Sequence, residues 1–109
     1  MDLSLTTRSQ GETTIIDCVG RLVYGNEATV LRIKVKALIA LGVKSIVLNL
    51  AGCRYIDSGA LGVLTGLQMS AHQAGCHIRL VNPTARTAKL LQTTNLMNFF
   101  DVASSASAK

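Results

Sequence analysis

The period of the apolar positions changes several times along the chain, and each change marks an element. Leu3 and Leu5 alternate with Ser4 and Thr6, a two-residue period that predicts a first strand. Gly11 supplies a turn, and residues 13–19 (TTIIDCV) are rich in β-branched side chains, predicting a second strand. Gly25-Asn26 leads into a helix expected at about 27–41, where Ala28, Leu31, Val35, Leu38 and Ile39 recur at helical spacing and Gly42 stops it. Residues 45–50 (SIVLNL) are almost continuously apolar, as in a strand covered on both faces. The stretch 51–56 reads as a loop, and Asp57-Ser58-Gly59 as the start of a second helix running to about residue 74. Its core side is Leu61, Leu64, Leu67 or Gln68, and Ala71, and Gly75 closes it. Residues 77–81 (HIRLV) predict a strand, Pro83 a break, 84–93 a third helix and 98–102 a last short strand.

The resulting order, β-β-α-β-α-β-α(-β), is that of an α/β fold. A hairpin followed by βα units builds a mixed sheet of four to five strands covered by three to four helices. At 109 residues, 49% apolar and 16% charged, the chain has the composition of one globular core and not of a disordered segment. One domain is expected over residues 1–103, with the small, polar stretch 104–109 as a flexible tail. The longest apolar run, 37–43, lies between Lys36 and Lys44 and falls far short of the roughly 20 residues of a membrane span. No basic segment followed by an apolar stretch opens the sequence, so no signal peptide is expected. Three cysteines at irregular positions (Cys18, Cys53, Cys76) do not form a disulfide framework and point to a reducing cytoplasm.

The net charge of +5 raises nucleic acid as a partner, but the distribution argues against it. No two basic residues are adjacent, and Tyr24, Tyr55, Phe99 and Phe100 do not interleave with them as stacking platforms would. Arg32 and Lys36 share one helical face and Arg86 and Lys89 another, both read as solvated surface. Gly59, Gly62 and Gly66 lack the Lys and Ser or Thr of a phosphate loop, and no carboxylate pair is suggested. His72, His77 and Cys76 lack the fourth ligand and the spacing of a zinc site. Cys18 and Cys53 read as small buried residues. No catalytic residue, metal site or cofactor is therefore expected, and the chain is not read as an enzyme.

The most informative stretch is 45–67 (SIVLNLAGCRYIDSGALGVLTGL), a buried strand, a short connection and a helix opening on small residues. Either Asp57 or Ser58 can cap that helix. A phosphate on Ser58 would also be tolerated there, since free N–H groups and the helix dipole favour an anion. Gly59, Ala60 and Gly62 remove side-chain bulk, so another chain can come close. A bulky charged residue at Ala60 is expected to block such docking without unfolding the protein.

Here the sequence resembles the STAS-domain family, and within it the anti-sigma-factor antagonists. The resemblance extends over nearly the whole chain. It includes Gly20-Arg21-Leu22, the strand 46–50 followed by Tyr55-Ile56-Asp57-Ser58, Leu61-Gly62-Val63-Leu64, and Gly75 ahead of 78–81. Asn82-Pro83 and Leu90-Leu91 with Thr94-Asn95-Leu96 extend it. The resemblance implies a STAS-like fold and a bacterial, cytoplasmic switch module. Its partner would be an anti-sigma factor, a serine kinase with an ATPase-type fold, and phosphorylation at the start of the second helix would break the complex. The implied partner surface is Val23, Tyr24, Gly25 and Asn26 together with Asp57, Ser58, Gly59, Ala60, Leu61 and Gly62.

Two departures stand out. The family motif reads Asp-Ser-Ser-Gly-Leu-Gly with the second serine phosphorylated. That position is Gly59 here, Ala60 replaces the following glycine, and only Ser58 remains as an acceptor. The acidic residue that often follows the Gly-x-Leu element is Val23. The alternative is therefore a non-phosphorylated STAS subunit of a transporter or signalling assembly. Self-association stays open, because a short terminal strand can leave a sheet edge exposed.

Overall fold

Residues 2–103 are described by the computed structural model; the tail expected at 104–109 lies outside the described residues. Strand β1 (Leu3–Gln10) folds back on β2 (Thr13–Leu22) as an antiparallel hairpin, with Leu3 opposite Gly20 and Gln10 opposite Thr13. Then follow α1 (Asn26–Ala40), β3 (Ser45–Asn49), β4 (Cys53–Ile56), α2 (Ser58–Gln73), β5 (His77–Val81), α3 (Ala85–Thr93) and β6 (Asp101–Ala103). Five strands lie side by side in the order β1-β2-β3-β5-β6, and all the pairings after the hairpin are parallel. This is the mixed sheet with helical crossovers that the apolar pattern predicts.

The stretch 51–56 departs from its expectation as a loop, because Cys53–Ile56 is a strand. The ten-residue β2 outruns β3, which pairs only with Thr13–Asp17, so its far end is left for β4. The ladder shifts register between Gly20 and Arg21, and Arg21 and Leu22 then face Tyr55 and Ile56. Cys53 and Ile56 are buried while Arg54 is exposed. The final strand begins three residues later than expected, at Asp101, because Phe99 and Phe100 N–H groups turn back onto the Leu96 carbonyl (3.1 Å each).

Alternation along the strands divides the apolar residues between the two sheet faces. Ile16, Cys18 and Leu22 of β2, Ile46 and Leu48 of β3, and Ile78 and Leu80 of β5 join Leu31, Val35, Leu61, Leu64 and Leu67 of the helices in the main core. Each such aliphatic side chain contributes about 1.5–3 kcal/mol of burial free energy. Ile15, Val47 and Val81 form a smaller buried cluster on the opposite face. Beside it Arg8 Nε donates to Asp17 Oδ2 (2.7 Å), Asn49 Nδ2 to Asp17 Oδ1 (2.8 Å) and Asn82 Nδ2 to Asn49 Oδ1 (3.1 Å). This polar row lets the face meet water while its apolar members stay covered. At the end of α2, Cys76 N–H bonds the Ala71 carbonyl (2.8 Å) and Gly75 N–H that of His72 (3.1 Å). That closure needs a left-handed residue, and Gly75 supplies it at φ 74°. Among the described residues no helix is long and apolar enough to cross a membrane.

Candidate functional site

The site is assembled where the end of β2 and the end of β4 deliver their following segments to one corner of the sheet. Asp57 N–H bonds the Leu22 carbonyl (3.3 Å), so the two strands finish side by side. After Leu22 the chain turns through Val23–Asn26 into α1, and Gly25 holds φ 109°, a region that L side chains rarely adopt. After Ile56 the chain passes directly into α2 through Asp57.

Asp57 joins these two segments. Its Oδ1 accepts the Ala60 N–H (2.8 Å), which settles the cap between the two candidates in favour of Asp57. The same carboxylate accepts the Tyr24 N–H, at 3.1 Å from both oxygens. A cap of this kind contributes about 0.5–2 kcal/mol, and a hydrogen bond to a charged group about 1.5–3 kcal/mol. One side chain therefore fixes both the start of α2 and the turn before α1.

Tyr24 lies across the first turn of α2. A Cβ built on Gly59 would stand 2.7 Å from Tyr24 Cβ and 2.9 Å from its Cγ. Gly59 thus leaves room for Tyr24, and the tyrosine, 70% exposed, still offers most of its surface to solvent. Val23 is half-buried, Gly25, Asn26 and Ser58 are exposed, and Gly62 opens onto free space. Ala60 and Leu61 depart from their expected place in the partner surface. They are only 1% and 3% exposed and point into the main core, because they follow the inward helical stripe of Leu64 and Leu67. A bulky charged residue at Ala60 would consequently overpack the core and would not act as a surface probe.

On the other side of Ser58 an open groove of about 410 Å³ separates the start of α2 from α3. Its lining includes Tyr55, Asp57, Ser58, Arg86 and Lys89. The Tyr55 ring carries two guanidinium groups, Arg86 at 4.7 Å and Arg21 at 5.2 Å from its centroid. These contacts were not legible in the sequence. The spacing of Arg86 and Lys89 shows a shared helical face, but nothing in it shows that the face turns toward Ser58.

Burial pushes the Cys18 thiol up to about 12, and burial also raises Cys53 and Cys76, so none is poised as a thiolate. Burial pushes the Asp101 carboxyl up, but bonds from Arg79 and His77 outweigh it and hold the group below its usual range. No group of three or more His, Cys, Asp or Glu side chains among the described residues could hold a metal ion.

The STAS-domain family model matches residues 4–108. Among solved structures, the Thermotoga maritima protein TM1081 superposes with a TM-score of 0.84 at 22% identity, over 94% of this chain and 88% of that one. The Bacillus cell-fate determinant SpoIIAA in its phosphorylated form gives 0.73 at 21% identity, over 96% of each chain. An anti-sigma factor antagonist from Mycobacterium paratuberculosis gives 0.82 at 14% identity, over 95% of this chain and 87% of that one. At these identities the superpositions establish a shared fold. No curated protein matches the chain by sequence.

Proposed function

The chain belongs to the STAS-domain family, and from that premise we propose that it is an anti-sigma-factor antagonist. It would act by binding an anti-sigma factor of the serine-kinase type in the cytoplasm. The observation that carries this is the Asp57 junction, which holds Tyr24 and the start of α2 in a single exposed surface. Tyr24 suits an anchor: it is large, aromatic and already fixed at its backbone, so docking orders little that is not ordered beforehand. The structural neighbours include proteins described as anti-sigma factor antagonists, one of them solved in a phosphorylated form. The role is one of binding, and catalysis resides in the partner.

Regulation would use Ser58, whose hydroxyl is exposed at the first position of α2. The Ser58 oxygen attacks the γ-phosphorus of ATP held by the kinase, a new O–P bond forms, and ADP leaves as the β–γ bridge breaks. The serine proton passes to a base on the kinase. The product places about −1.5 to −2 charges on the docking surface. A helix N-terminus tolerates such a charge, whereas a partner burying it without paired donors pays heavily.

Titration calorimetry with each serine-kinase anti-sigma factor of the source organism tests the proposal. One of them should bind, and Tyr24→Ala should weaken that binding by about 2 kcal/mol, roughly 30-fold. Binding to none of them would overturn it. A non-phosphorylated STAS subunit of a transporter or signalling assembly is the second reading, favoured by the missing hydroxyl at Gly59. Stable binding by a chain that the partner's kinase activity leaves unmodified would support it.

A further inference from the structure

Ser58 and Gly59 are neighbours in sequence but face different surroundings. Successive helical residues point about 100° apart. The Gly59 Cα is covered by Tyr24, whereas Ser58 lines the groove whose far wall is α3. Arg86 and Lys89, three residues apart on α3, line the same groove, and neither forms a salt bridge among the described residues. The Arg86 guanidinium rests 4.7 Å from the Tyr55 ring centroid, which positions it with its donors still available. Asp57 also lines the groove, but its carboxylate is engaged by the Tyr24 and Ala60 N–H groups.

Taking Ser58 as the acceptor, as in the function proposed above, we infer that Arg86 and Lys89 receive its phosphate within the same chain. The groove is then a phosphomonoester site that the protein fills by its own modification. Arginine offers a planar fork of donors to phosphate oxygens and lysine a compact charge, a pairing suited to a dianion. Two cations and one carboxylate line the groove before modification. A group carrying about −1.5 to −2 charges inverts that balance. Modification therefore removes a cationic surface as well as adding bulk, and a partner presenting acidic side chains to this groove would be released by both effects.

The test uses the full chain with phosphoserine genetically encoded at position 58, so it needs no kinase. The second ionisation of the phosphate is followed by ³¹P NMR against pH. With the clamp in place it falls by about half a unit or more relative to R86Q/K89Q, because adjacent cations favour the dianion. The start of α2 is common to both proteins, so the difference isolates the two cations. K89Q alone, which keeps Arg86 on Tyr55, should lose part of the shift and serves if the double variant unfolds. Identical titrations in all three proteins would overturn the clamp. That result would leave kinase binding untouched, and failure to bind any kinase would leave the titration untouched, so the two proposals fail separately.

Discussion

Restoring the family's serine at position 59 is the sharpest probe of the corner that holds this site. Gly59→Ser places a Cβ 2.7 Å from Tyr24 Cβ, 2.9 Å from Cγ and 3.0 Å from Cδ1. Ordinary contacts begin near 3.4 Å, so Tyr24 must withdraw by several tenths of an ångström at its least flexible atoms. Its backbone N–H is held by Asp57, so withdrawal works against a bond to a charged group worth about 1.5–3 kcal/mol. Overpacking of this kind costs about 1–3 kcal/mol. Exchanging glycine for serine in a helix returns roughly 0.5 kcal/mol. The expected net loss is about 1–2 kcal/mol, or a fall in Tm of roughly 4–8 °C per kcal/mol. Urea denaturation of the wild type, G59S, Y24G and the double variant closes a cycle. Tyr24→Gly removes the Cβ as well as the ring, and the penalty of G59S should largely vanish in that background. Tyr24→Ala leaves the 2.7 Å clash and should relieve less. A G59S protein as stable as the wild type, or a penalty unchanged by Tyr24→Gly, would refute the steric account.

Asp57→Ala should destabilise the protein by about 1–3 kcal/mol. Hydrogen exchange should then lose protection at the Tyr24 and Ala60 N–H groups together, since one carboxylate serves both. The hydrogen bond from Arg8 holds the Asp17 carboxyl below its usual range. A depressed carboxyl contributes stability that is present above the unfolded-state pKa, near 4, and is lost as pH falls through the folded-state value. Asp17→Asn should accordingly flatten the acid limb of stability below about pH 4 in a series of denaturation curves. Iodoacetamide at pH 8 should leave Cys18 unlabelled in the native protein and modify it rapidly in urea, as read by mass spectrometry, because burial holds its thiol at about 12. Arg86→Glu should slow association with an acidic partner and weaken its dependence on salt, measured as the on-rate at several ionic strengths.

Much of the fold was legible because the signals that specify it are local. The helix-period stripes in α1 and α2, the run 45–50 and the closing Gly75 each report a burial or a backbone angle within a few residues of themselves. The strand at Cys53–Ile56 was not legible, because four residues with two buried positions become a strand only beside the overhanging end of β2. The interior places of Ala60 and Leu61 were half legible. The helical spacing already put Leu61 on the core side with Leu64 and Leu67, so naming it in the partner surface as well set two readings of one residue against each other. Ala60, four residues before Leu64, was read only as surface.

The corner itself divides in the same way. The sequence determined that a helix begins after Asp57 on small residues and that a hydroxyl stands at Ser58 and none at Gly59; that a phosphate acceptor belongs at this place is what the family resemblance implies. Only tertiary structure decided that Tyr24, 35 residues earlier than Gly59 in the chain, fills the space beside that glycine. It alone brought Arg86 and Lys89 alongside Ser58. The physical reason is that capping and helix phase depend on neighbours along the chain. The meeting of the β2–α1 turn, the start of α2 and one face of α3 depends on strand lengths, register and the packing of helices against the sheet. No segment of sequence carries that information by itself.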